Sequence, residues 1–152
     1  MAAERRDLHA AIAGLGRLAG VFQRRREQLA ESVGLTEREW RVLDEIATAG
    51  FMPSLFARSS ESTPAAVSKV LRQLLDRELV AVNVASGDRR QREYQLTSKG
   101  KKLLARLDGG RRHAIREVWS ALDGAELKRF TAFATGLAER LEEYSARVEK
   151  KE

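Results

Sequence analysis

A chain of 152 residues, 43% hydrophobic and 33% charged, is long enough for one domain with its own core or for a small domain carrying helical extensions. It has no cysteine, which excludes a disulfide framework, a zinc–thiolate site and a thiol redox sensor. The net charge of +6 is concentrated: Lys/Arg against Asp/Glu stand at 8 to 8 over residues 1–53, 4 to 3 over 54–84, 7 to 2 over 85–106 and 9 to 9 over 107–152. A basic centre between neutral arms is the electrostatic footprint of a nucleic-acid-binding module, although a solvated basic loop gives the same count.

Leu8, Ile12, Leu15, Ala19 and Phe22 recur at steps of four and three, which predicts a helix whose apolar stripe must be covered by something. Arg17 interrupts the apolar run from Ala10 to Phe22, and the run is too short to span a bilayer. It therefore reads as an amphipathic helix rather than a signal peptide, with the cytoplasm as the default location. Thr36-Glu37-Arg38-Glu39 is a capping box opening a helix through Trp40, Leu43 and Ile46 that stops near Gly50. A short helix is expected over Ser54 to Ser59. Thr63-Pro64 supplies an N-cap followed by proline at the first helical position, and the helix it opens runs to about Arg77, burying Val67, Val70, Leu71 and Leu74.

Val80, Val82 and Val84 alternate with Ala81 and Asn83, a strand pattern that returns through Tyr94 and Leu96. Between the strands lies Ser86-Gly87-Asp88-Arg89-Arg90-Gln91-Arg92. Thr97 caps the next helical stretch, Lys99 to Leu122, where Gly109-Gly110 is expected to kink or break it. Asp123, with Glu126 at the capping-box position, opens a last long helix striped by Leu127, Phe130, Ala134, Leu137, Leu141, Tyr144 and Val148.

Three central helices and a hairpin make a winged helix-turn-helix. The expected fold is mainly α with a small β-hairpin: a winged helix-turn-helix lobe over residues 34–102, flanked by helical dimerisation regions at 5–33 and 107–150. The dimerisation candidates are Leu8, Ile12, Leu15, Phe22, Leu127, Phe130, Leu137, Leu141 and Tyr144, because apolar stripes this long mark interfaces when exposed. No internal repeat or low-complexity segment is visible.

Three pieces of the centre resemble the MarR family of bacterial transcriptional regulators. Thr36-Glu37-Arg38-Glu39-Trp40-Arg41-Val42-Leu43 looks like the opening of that family's second helix. Thr63-Pro64-Ala65-Ala66-Val67-Ser68-Lys69, followed by Leu71 and Leu74, looks like its recognition helix. Asp88-Arg89-Arg90 before Leu96-Thr97 and Gly100 looks like its wing and is the most specific of the three. The motifs cover about 45% of the chain, and the outer helices match by length and pattern. The resemblance implies a homodimer built by the terminal helices, a pseudo-palindromic operator, and release from DNA by a small, often aromatic and anionic ligand, with Arg17 or Arg24 as candidates to meet its charge. The sequence departs from the family pattern at Ser60 and Ser62, where apolar residues usually stand, and at Glu78, where a glycine usually ends the recognition helix. These changes put the rigidity of the helix-turn-helix in question and imply weak or effector-dependent DNA binding.

Independent physical arguments attach roles to the residues. A recognition helix presents its N-terminal residues to the major groove, which nominates Thr63, Pro64, Ala65, Ser68, Lys69 and Arg72. Lys69 and Arg72 suit guanine or phosphate, and Ala65 suits a thymine methyl. In the wing, Arg90 is the candidate for a narrow minor groove, oriented by Asp88, while Arg89, Arg92 and Lys99 suit phosphates.

The chain is not expected to be an enzyme or to hold a cofactor or metal. Ser59-Ser60 lacks a nucleophile-elbow setting, no glycine-rich loop follows a strand, and His9 and His113 read as surface or ligand-cleft residues. Trp40 and Trp119 read as core and cleft lining. Two functions remain: a homodimeric, sequence-specific DNA-binding regulator, expected to be a repressor, and a winged-helix protein-interaction module with weakened or lost DNA binding.

Overall fold

The computed structural model describes residues 2–48, 50–84 and 92–149. The chain divides into two compact units, Met1–Gly110 and Arg111–Glu152.

The first unit opens with α1 (Ala2–Glu31). Only its end enters the core: Ala30 is fully buried and Leu29 packs against the core edge, while Leu8, Ile12, Leu15 and Phe22 are exposed. The predicted capping box starts α2 (Glu37–Ala47): Glu39 N donates to Thr36 Oγ1 at 3.1 Å, and Thr36 N donates back to Glu39 Oε2 at 2.7 Å. Then come α3 (Pro53–Ser59) and α4 (Pro64–Asp76), the latter capped by Thr63 Oγ1, which accepts from Ala66 N at 3.1 Å. The core is made where these helices meet. Trp40, Val42, Leu43 and Ile46 of α2 pack with Phe56 and Ala57 of α3, Val67, Val70, Leu71 and Leu74 of α4, and Leu104 and Leu107 further on.

Strands β1 (Val80–Val84) and β2 (Arg92–Leu96) form an antiparallel pair whose register runs from Val80 opposite Leu96 to Val84 opposite Arg92. Val80 is buried and Val82 is exposed, so the ribbon leaves the core within two residues of its start. The next helix, α5 (Ser98–Ala114), begins under Leu79, where a side chain on Gly100 would collide with the Leu79 carbonyl.

Gly109 and Gly110 do not break the helix, because α5 is continuous through both. Gly110 has a packing role instead: a Cβ there would stand 2.5 Å from Leu29 Cδ1 of α1. The change comes later, at a π-helical turn over Ile115–Trp119 closed by Ser120 N donating to Ile115 O at 3.3 Å.

The second unit contains that turn and α6 (Gly124–Glu149). Asp123 Oδ2 accepts from Ala125 N and Glu126 N, both at 3.1 Å, and so caps α6. Among its described residues none is buried. No helix is long and apolar enough to cross a membrane among the described residues. The fold is mainly α with one small hairpin, a winged helix-turn-helix.

Candidate nucleic-acid interface

Helix α4 separates its two faces cleanly. Val67, Val70, Leu71 and Leu74 are buried, whereas Thr63, Pro64, Ala65, Ser68, Lys69 and Arg72 are all exposed. At 3.6 residues per turn, positions 65, 68, 69 and 72 share one stripe opposite the buried one. The structure thus brings together all six residues that the sequence nominates on this helix.

The far end of α4 is pinned by three elements. Arg77, its C-cap, donates from Nη1 to Glu39 Oε1 at 3.2 Å and from Nη2 to Gly34 O at 2.9 Å. Lys99 at the start of α5 donates from Nζ to Arg77 O at 2.8 Å. Thr97 Oγ1 donates to Glu78 O at 2.7 Å. Lys99 was nominated for phosphate; here one of its three ammonium donors holds the helix end, which leaves two for another partner. Glu39 is the hub: a buried carboxylate that accepts from the α2 cap and from Arg77. Next to it, Arg26 of α1 donates to Glu37 at 2.9 Å and stacks 4.4 Å above the Trp40 ring. Sequence reasoning missed this network, since nothing in a linear pattern shows which arginine reaches which cap.

The turns on either side of α4 are less comfortable. Glu78 has φ 58° and Glu61, in the α3–α4 turn, has φ 49°. Both lie in the left-handed region, which disfavours residues with a Cβ. The departure noticed at Glu78 is therefore a real conformational one, and Glu61 is a second that the sequence reading passed over. Ser60 Oγ donates to Phe56 O at 2.6 Å, but Ser62 Oγ is buried with no hydrogen-bond partner among the described residues. Ser60 and Ser62 line a small cleft of about 30 Å³ together with Arg38 and Arg41 of α2, Val42, Phe56, Val67 and Val70.

Of the wing residues, Arg92 is exposed at the end of the ribbon farthest from its start at Val80, opposite Val84. Asp88, Arg89 and Arg90 lie outside the described residues. Beside β2, the α2–α3 connection and Arg92, Tyr94 and Gln95 line an open cleft of about 600 Å³. Phe51 there meets the Tyr94 ring edge-on, with centroids 5.9 Å apart.

The dimerisation candidates fall in both units. On α1, Leu8, Ile12, Leu15 and Phe22 are exposed; on α6, Phe130, Leu141 and Tyr144 are exposed and Leu127 and Leu137 half-buried. Phe133, at 68%, is more exposed than any of them and was not nominated. Trp40 is fully buried, as expected of a core residue, and Trp119 is half-buried. His9 Nδ1 lies 2.6 Å from Arg5 O, and His113 is exposed. No group of three or more His, Asp or Glu suited to a metal occurs among the described residues.

No protein-family model and no curated protein matches the chain. Solved structures do. A MarR family transcription regulator superposes with a TM-score of 0.85 at 15% identity, covering 95% of this chain and 97% of that one. The MarR of S. aureus, solved with salicylate and kanamycin, gives a TM-score of 0.76 at 16% identity, covering 89% of this chain and 92% of that one. The S. aureus MepR–DNA complex gives 0.69 at 20% identity, covering 84% and 93%. At these identities the likeness is one of fold, and the fold of this chain is the winged-helix fold of the MarR family transcription regulators.

Proposed function

We propose that the chain is a homodimeric, sequence-specific DNA-binding transcription regulator of the MarR type, acting as a repressor. The observation that carries this reading is the exposed stripe of α4. A small, capped helix shows Ala65, Ser68, Lys69 and Arg72 outward while its end is clamped by Arg77 and Lys99. A helix held this firmly with its polar face free suits insertion into a major groove, where the N-terminal residues meet base edges. Arg92 and the basic segment 85–106 supply the charge that attracts the backbone. The exposed apolar stripes of α1 and α6 supply the material for a two-fold interface. Residues 5–33 and 107–150 are the dimerisation regions in this reading, and 34–102 the DNA-binding lobe.

The test is binding to the DNA upstream of the chain's own gene, searched for an inverted repeat with half-sites about one helical turn apart. With on the order of 8 phosphate contacts per dimer, log K falls against log salt with a slope near ~−7. A flat salt dependence rejects the reading.

Release by a small aromatic acid belongs to the same proposal. The cleft beside β2 offers such a ligand the Phe51 and Tyr94 rings and the Arg92 guanidinium. A ligand that releases operator lowers its affinity at least about fivefold, or ~1 kcal/mol of coupling. Competition against a panel of aromatic acids measures this.

The second reading, a protein-interaction module, is favoured by one feature: the α3–α4 turn, with a left-handed Glu61 and an unpartnered Ser62 Oγ. The left-handed Glu61 strains this hinge, although Ser62 N still donates to Ala57 O at 2.9 Å across it. Absence of duplex binding at low salt supports this alternative.

A further inference from the structure

We propose that Arg38 and Arg41 of α2 form a phosphoryl-binding site beside the start of α4, and that its occupant is a phosphate of the DNA backbone. The assignment to DNA rests on the function proposed above; the phosphoryl chemistry does not. Arg38 is the second residue of α2, where the positive end of the helix dipole repels a cation. The acidic residues around it are engaged elsewhere: Glu37 holds Arg26, and Glu39 holds Thr36 and Arg77. Arg38 and Arg41 stand three positions apart, hence on one side of the helix, and both are exposed. Neither has a hydrogen bond or an ion pair among the described residues. Two exposed guanidinium groups with no protein partner among the described residues keep their donors free for an anion.

Their position says what that is. Both line the cleft whose other wall is Ser60 and Ser62, and no acidic residue lines it. Ser62 directly precedes Thr63 and Pro64, the first exposed residues of α4. At about 30 Å³ the cleft admits a water or two but no phosphate group. The phosphate therefore sits at its mouth, gripped by guanidinium groups whose planar forks match two phosphate oxygens at a time. In the DNA-bound dimer this places a backbone clamp next to the residues that enter the groove, fixing register without reading sequence.

The experiment uses the full chain and a random-sequence duplex of about three helical turns, followed by fluorescence anisotropy between about 50 and 200 mM salt. The double variant Arg38→Gln, Arg41→Gln should shallow the log K–log salt slope by about 2 per dimer, one phosphate per protomer at ~0.9 each. The thermal melt of the double variant should match wild type, because neither side chain holds another. Wild-type duplex binding with an unchanged slope in the double variant overturns the site and leaves the DNA-binding function standing. An early melt also overturns it, since the arginines are then structural. If wild type binds no duplex, the DNA reading fails, and a titration with inorganic phosphate decides the site. A phosphate-dependent rise in melting temperature that the double variant lacks supports it for the free anion; no rise in wild type overturns it.

Discussion

Helices α4 and α6 carry the same kind of apolar stripe, and the chain treats them in opposite ways. In α4 the stripe of Val67, Val70, Leu71 and Leu74 is buried against α2 and α3 within the first unit. In α6 the stripe of Phe130, Leu141, Tyr144 and Val148 stays exposed, and no described residue of the second unit is buried at all. Periodicity predicts a helix equally well in both cases, but it does not say where the cover comes from. Burial of an apolar side chain is worth about 1.5–3 kcal/mol, so the first unit has its own reason to fold, whereas α6 has no buried side chain among its described residues.

The sharpest way to break this comparison is to remove a large side chain from each stripe. Leu74→Ala should cost about 2–5 kcal/mol in urea unfolding, the range for a buried leucine that leaves a cavity. A loss below 1 kcal/mol would mean that α4 is not packed as described. On α6, Leu141→Asp should leave the first unit folded and act on association instead. If the stripe is the dimer interface, a buried unpaired carboxylate raises the dimer dissociation constant roughly 100-fold or more. Sedimentation across a concentration series reads this, and an unchanged assembly state removes α6 from the interface. The melting temperature of wild type should also rise with concentration, as mass action requires of a dimer.

A smaller effect is expected from the clamp on α4. Arg77→Ala deletes two hydrogen bonds and leaves Glu39 with its cap donors alone. Arg77 is partly exposed, which screens the pair, so the cost in stability is about 1 kcal/mol. DNA affinity should fall by more than stability does, because the end of the recognition helix is released. Equal losses in the two assays would show that Arg77 only stabilises the fold.

The parts of the structure that were legible in the sequence are those fixed by neighbours along the chain. The capping box at Thr36, the Thr63-Pro64 start, the alternating valines and the Asp123 cap all depend on residues within four positions. What was missed depends on distant partners. Gly110 looks like a helix breaker until Leu29 of α1 is seen against it. Lys99 looks like a free cation until it meets the carbonyl of Arg77, 22 residues away. The exposed stripe of α4 was readable for the first reason; the Arg77–Glu39 clamp was hidden for the second.

The smallest predicted effect is the one that speaks most directly to the helix-turn-helix. Glu78 follows α4 at φ 58°, and its side chain is exposed. Holding a residue with a Cβ in the left-handed region costs about 1–2 kcal/mol, and glycine avoids that cost while losing somewhat more chain entropy on folding. Glu78→Gly should therefore stabilise the protein by roughly 0.5–1 kcal/mol, a rise of about 2–4 °C per kcal/mol in melting temperature. The backbone carbonyl of Glu78 keeps its bond from Thr97, so the path of the chain into β1 is preserved. Glu61→Gly, in the turn before α4, should give a similar gain, and because α4 separates the two sites the gains should add. If both variants are more stable and also bind DNA more tightly, the strain at the two ends of α4 holds the recognition helix below its best fit. If stability rises and DNA binding does not change, the strain is local, and the rigidity of α4 comes from the Arg77 and Lys99 contacts alone. A loss of stability in Glu78→Gly would mean that the glutamate side chain contributes more than its strained backbone costs.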